Sequence, residues 1–109
     1  MRNRLAFQRI NPSGAELLFA SCNVLVLDVR DSAAFHQDPI PGAQHMSMAN
    51  ISAVISTTPK TVPVLIYCYH GHASQEYAQI FSDFGFLEVY SLDGGRAAWT
   101  DKASPPSFS

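Results

Sequence analysis

The segment Cys68-Tyr69-His70-Gly71-His72-Ala73-Ser74 holds the residues best suited to chemistry. A cysteine becomes a strong nucleophile once ionised, so its setting decides whether the reactive thiolate is populated. Cys68 follows the apolar run Val64-Leu65-Ile66-Tyr67, and a helical pattern opens near Ser74. In open parallel sheets ligands bind outside the carboxyl ends of the strands, so a loop from such a strand to a helix is where chemistry is expected. A tight loop there turns successive backbone N–H groups inward, and the helix N-terminus adds roughly half a positive charge. Such a nest favours an anion and predicts a depressed Cys68 pKa. Gly71 fits it, because glycine takes positive φ and lets amides approach a bound group. Tyr69, His70, Gly71, His72, Ala73 and Ser74 are thus the candidate lining of an anion site around Cys68.

What the loop lacks narrows the reaction. No second cysteine follows Cys68, so a Cys-x-x-Cys redox pair is absent, with Gly71 in its second position. Cysteine phosphatases carry an arginine in the pattern Cys-x5-Arg, because a dianionic phosphate needs a bidentate cationic clamp. That position is Ser74. Phosphoryl transfer is disfavoured, whereas a less highly charged group such as a terminal persulfide sulfur can be held by amides alone. A proton-accepting role for His70 or His72 competes with the plainer reading of loop histidines that face solvent or bond a carbonyl. His36 and His45 show no ligand spacing with each other or with a cysteine, so no metal site is expected. Cys22 lacks the loop setting and reads as an inert small residue; a role as a resolving thiol or disulfide partner would require it to lie close to Cys68.

The positioning elements follow from periodicity. Asn23–Asp28 and Val62–Tyr67 are apolar at nearly every position, which marks strands buried on both faces, with Pro63 at the start of its strand. Gln8–Ile10, Gln44–Met46 and Leu87–Tyr90 are weaker strand candidates. Asn11 before Pro12 reads as a helix N-cap, Asp31–His36 as a short helix and Met48–Ile55 as another. From Ser74 onward Tyr77, Ile80, Phe81 and Phe84 share one helical face, and Gly85 stops that helix. Asp93-Gly94-Gly95 turns into a last helix running through Trp99, which plugs the core edge. Short apolar strands alternating with helices predict an α/β fold with a parallel sheet.

Composition bounds the rest. The chain has 109 residues, 47% hydrophobic and 15% charged, with a formal net charge of −2, so one domain spanning 1–109 is expected, its core at about 8–101. The Ser/Pro-rich end at 103–109 reads as a frayed tail. Mild acidity supplies no basic footprint for nucleic acid. No apolar run approaches the roughly 20 residues of a membrane helix, and Arg2 and Arg4 are not followed by a signal-peptide core, so a soluble cytoplasmic protein without membrane partners is expected.

Taken together the motifs resemble the rhodanese-like domains, and most closely single-domain bacterial thiosulfate sulfurtransferases with a Cys-Tyr-His-Gly loop. Leu27-Asp28-Val29-Arg30, Ile40-Pro41-Gly42-Ala43, Val64-Leu65-Ile66-Tyr67-Cys68 and Ser91-Leu92-Asp93-Gly94-Gly95 with Trp99 agree in order over about residues 8 to 101. The resemblance implies a central parallel five-stranded sheet with helices on both faces. It also implies that Cys68 carries sulfur from thiosulfate to cyanide or a thiol acceptor as a covalent persulfide, with ping-pong kinetics and no separate cofactor. Thioredoxin-like and other protein thiols belong to that acceptor class. A six-residue loop from Cys68 to Ala73, with the helix starting at Ser74, matches the sulfur-handling members, since the phosphatase relatives carry a loop one residue longer. Many members have an arginine where this chain has Ala73, which leaves Arg30 and Arg96 as candidates for steering an anionic donor. For Arg30 a structural ion pair with Asp28 or Asp31 is the plainer reading, and Arg96 reads as a helix-face residue. A different function, a persulfide carrier fed by a protein donor with little thiosulfate activity, uses the same residues. An inactive recognition domain has no need of Cys68 and Gly71.

Overall fold

The computed structural model describes residues 7–100; the tail at 103–109, the first arginines and residue 101 lie outside them. The elements alternate: β1 (Gln8–Ile10), α1 (Pro12–Ser21), β2 (Leu25–Asp28), α2 (Ser32–Gln37), β3 (Gln44–His45), α3 (Ile51–Thr57), β4 (Val64–Tyr67), α4 (Ala73–Asp83), β5 (Val89–Leu92) and α5 (Gly95–Ala98). The strands form one five-stranded sheet in the order β1-β5-β4-β2-β3, and every pairing is parallel. β4 is the central strand. All four of its residues are buried, as its uninterrupted apolar sequence predicts.

Alternation along β4 splits the core into two. Val64 and Ile66 join Ile51 and Ile55 of α3 and Ala78 and Phe81 of α4 on one face. Leu65 and Tyr67 join Ala15 of α1 and Trp99, just past α5, on the other. Helices therefore cover both faces of the sheet, as expected. Asn11 caps α1 by accepting from the Gly14 N–H at 2.8 Å, and Asp31 caps α2 by accepting from Ala34 at 2.9 Å.

The end of α4 corrects one reading and supports another. Phe84 is not on the buried face: it follows the last helical residue and is 59% exposed. Gly85 takes φ +93° and donates to the Ser82 carbonyl at 3.0 Å, while Phe86 donates to Phe81 at 3.2 Å. This is the paired hydrogen-bond pattern of a glycine stop, closed by the edge-on contact of the Phe81 and Phe86 rings, 5.0 Å apart. Phe86 thus takes the core place expected of Phe84.

Other boundaries shift as well. β2 starts at Leu25 rather than Asn23, β4 at Val64 beyond Pro63, and β3 ends at His45, one residue short of Met46. β5 lies two residues later than expected, at Val89–Leu92, because Leu87 is exposed and Ser91 is buried. α3 begins at Ile51, after the turn closed by Asn50, and continues to Thr57. α5 ends at Ala98, with Trp99 as its C-cap.

Candidate active site

Cys68 is the first residue past the carboxyl end of central strand β4 and is 4% exposed. Its Sγ accepts from the Gly71 N–H at 3.1 Å and the Ser74 N–H at 3.3 Å, and Ser74 Oγ lies 3.4 Å away. Burial pushes the thiol pKa up, but the Ser74 hydroxyl and the Ser74, Gly71 and His70 N–H groups more than offset it. The net direction is down, toward the thiolate. α4 starts at Ala73, one residue before the expected Ser74, so two amides of the loop and first helical turn point at one sulfur.

Two glycines allow this geometry. Gly71 has φ +96°, and a Cβ there would sit 2.9 Å from the Gly94 nitrogen. Gly95 has φ +59°, and its Cβ would sit 2.5 Å from the Cys68 carbonyl oxygen. Backbone therefore packs on backbone with no room for a side chain. The expected Asp93-Gly94-Gly95 turn forms, and it also braces the reactive loop, which the turn signature alone does not reveal. Asp93 is tied to β1 by the Asp93 N–H to the Ile10 carbonyl at 2.7 Å and by Arg9 Nε at 2.8 Å from its carboxylate.

The remaining candidates separate into fold and site. Arg30 pairs with Asp28 as expected, Nη2 to Oδ2 at 2.8 Å, but its second carboxylate is Asp38 at 3.0 Å and not Asp31. Its side chain is 3% exposed and lies over the Tyr67 and Tyr69 rings, which leaves little guanidinium surface for an anion from solution. Asp28 also accepts from the Arg30 N–H at 2.8 Å and from the Tyr67 hydroxyl at 2.6 Å, and Tyr67 in turn accepts from the Ile40 N–H at 2.9 Å. Burial and the Asp28 carboxylate hold the Tyr67 phenol well above its ordinary value. Asp31 instead accepts from the Tyr69 hydroxyl, which ties the loop to the start of α2.

Arg96 lines a cavity of about 600 Å³ beside the loop, together with Arg30, Asp31, Asp38, Tyr69 and His70. Its Nε donates to the Asp38 carbonyl at 2.8 Å and its Nη1 to the Trp99 carbonyl at 3.0 Å. Trp99 is buried and tilts against Phe19. The His70 and His72 side chains are exposed, and neither ring hydrogen-bonds Sγ. His45 is structural, its Nε2 2.7 Å from the Arg30 carbonyl, and His36 bonds Ser32 within α2. Cys22 is an exposed free thiol at the end of α1, unpaired with Cys68. Among the described residues no group of three or more His, Cys, Asp or Glu is placed to hold a metal ion, and no helix is long and apolar enough to cross a membrane.

The family model for the rhodanese-like domain matches residues 12–102. The chain belongs to the rhodanese-like family. Within it, the protein is 38% identical over 103 residues to a Coxiella burnetii protein named thiosulfate sulfurtransferase GlpE, covering 94% of each chain. A Pseudomonas fluorescens protein of the same name is 40% identical over 93 residues, covering 85% of this chain and 84% of the relative. The domain is a sulfurtransferase. Its fold matches a crystal structure of a Staphylococcus aureus rhodanese-like domain protein with TM-score 0.76 and 24% identity, covering 88% of this chain and 94% of that one. A Rhodopseudomonas palustris structure described as a possible tyrosine phosphatase superposes nearly as well, with TM-score 0.74 and 24% identity over 91% of this chain and 83% of that one. These two likenesses show the fold; the residues around Cys68 bear on the chemistry.

Two contributors escape a sequence reading. Asp38 bridges Arg30 and approaches Arg96 at 3.8 Å, and Ser91 of β5 lies 2.8 Å from Ser74 Oγ. Periodicity marks neither: Asp38 follows the short helix α2, and Ser91 lies just past the strand expected at Leu87–Tyr90.

Proposed function

We propose that this domain moves sulfane sulfur from thiosulfate to cyanide or a thiol through a persulfide on Cys68. The observation that carries the reading is the seating of Sγ: a buried sulfur that two backbone N–H groups face at 3.1 and 3.3 Å, in a loop without an arginine or lysine. Oriented amides stabilise a singly charged sulfur without solvent reorganisation, and nothing in the loop offers the bidentate clamp that a phosphate dianion needs.

In the first half-reaction the Cys68 thiolate attacks the outer sulfur of thiosulfate. The S–S bond breaks, sulfite leaves with its electron pair, and Cys68 becomes a persulfide anion. In the second, cyanide or a thiolate attacks the outer persulfide sulfur, leaving as thiocyanate or a new persulfide and returning the Cys68 thiolate. No cofactor enters; the covalent persulfide is the carrier, which makes the kinetics ping-pong. Tyr69 to Ser74 supply the cradle. Both arginines border the cavity beside the loop, and Arg96 is better placed than Arg30 to steer an anion because more of its side chain is exposed, 19% against 3%. A cytoplasmic setting, where small thiols and thioredoxin-like proteins supply acceptors, suits this chemistry.

The test is a steady-state assay of thiosulfate against cyanide. Parallel double-reciprocal lines and loss of turnover in Cys68→Ser support the reading. Sulfur loading only from a cysteine desulfurase favours the carrier function, and Cys68-dependent hydrolysis of an aryl phosphate overturns both.

A further inference from the structure

Behind Cys68 lies a short chain of two buried hydroxyls, Ser74 and then Ser91. Ser74 is fully buried and Ser91 is 1% exposed, each in a position where an apolar residue would cost nothing in desolvation. Ser74 Oγ stands between two partners, Cys68 Sγ at 3.4 Å and Ser91 Oγ at 2.8 Å. Ser91 comes from β5, and its side chain points to the face covered by α4, since Val89 two residues earlier belongs to that core. Ser91 Oγ has no other side-chain partner among the described residues.

We propose that Ser91 is a positioning residue for sulfur transfer: its hydroxyl orients that of Ser74 so that Ser74 donates to the ionised Sγ of Cys68. A hydroxyl has one proton and two acceptor sites, so the direction of this chain depends on the charge of the sulfur. With the thiol protonated, Cys68 S–H donates to Ser74, and Ser74 donates to Ser91. When Cys68 ionises, its proton leaves for solvent and the direction reverses: Ser91 O–H donates to Ser74, and Ser74 O–H donates to the thiolate. In both arrangements one proton lies between the Ser74 and Ser91 oxygens, and which of them carries it follows the charge on the sulfur. A donor whose own oxygen accepts a hydrogen bond is also a stronger donor.

The proposal rests on Cys68 being the reacting sulfur, yet its test does not need turnover. In a Cys22→Ser background, the rate of Cys68 alkylation by iodoacetamide is measured against pH by intact mass. Ser91→Ala is expected to raise the midpoint by about half a pH unit, roughly a threefold loss of thiolate below the midpoint, while Ser91→Thr, which keeps the hydroxyl, stays near the parent. Ser74→Ala raises it as well, and Ser91→Ala added to Ser74→Ala raises it no further, because Ser91 acts through Ser74. An unchanged midpoint in folded Ser91→Ala overturns the proposal, as does an equal rise with and without Ser74. Should Ser91→Ala fail to fold, Ser91→Gly carries the same comparison. Failure of thiosulfate turnover with these shifts intact overturns the assigned function and leaves the positioning role standing.

Discussion

Arg96 donates its backbone N–H to the Cys68 carbonyl at 2.8 Å, and Ala97 does the same to Tyr69 at 3.1 Å. The first turn of α5 thus holds the reactive loop from behind while the loop amides hold the sulfur in front. Gly95 makes this approach possible, since its Cβ would fall 2.6 Å from the Tyr69 carbonyl carbon. The loop is braced by backbone, so its geometry depends on a glycine far from it in sequence.

Gly95→Ala is therefore expected to displace the loop, lowering kcat by on the order of tenfold or more and costing roughly 2–3 kcal/mol of stability. Gly85 is the matched control: it also has positive φ, but nothing lies within 4 Å of where its Cβ would be. Gly85→Ala should cost about 1 kcal/mol in urea denaturation and leave kcat unchanged. Equal activity losses in the two variants would show that strain at φ, not contact with the loop, is what matters.

The pH dependence has a definite sign. The donors around Sγ outweigh burial and hold the Cys68 pKa below that of an ordinary thiol, so the thiolate form is populated there. The rate of sulfur uptake from thiosulfate should be flat above that folded-state pKa and fall as pH drops through it. Rapid-mix single-turnover measurements against pH would show the acidic limb below the pKa of a free thiol. A limb at or above the free-thiol value would contradict the amide cradle.

The Asp28–Arg30–Tyr67 group makes a separate prediction. Removing one partner of a buried ion pair leaves the other uncompensated, so Arg30→Met should cost about 3–5 kcal/mol in chemical denaturation. Tyr67→Phe strands the buried Ile40 N–H and takes a donor from Asp28, at about 1–3 kcal/mol. For the fraction of Arg30→Met that remains folded, KM for thiosulfate should stay near that of the parent. Parent-like stability with a raised KM would return Arg30 to the steering role.

The site was more legible in the sequence than the contacts that support it. Cys68 could be placed because an uninterrupted apolar strand ends just before it and Gly71 interrupts the loop, both local signals. The apolar pattern places β5 two residues early because Leu87 and Val89 are equally apolar, and only the tertiary fold decides that Leu87 faces solvent. Phe84 matched the helical period, but the Gly85 stop ends the helix just before it and hands its core position to Phe86. Asp38 and Ser91 act across the fold, on Arg30 and on Ser74, where periodicity carries no information.

The central claim, that Cys68 takes sulfur from thiosulfate, is tested most directly by intact mass. The protein incubated with thiosulfate should gain the mass of one sulfur atom, lose it on adding cyanide, and gain nothing as Cys68→Ser. No adduct on the folded parent protein, or one that persists in Cys68→Ser, would contradict the account.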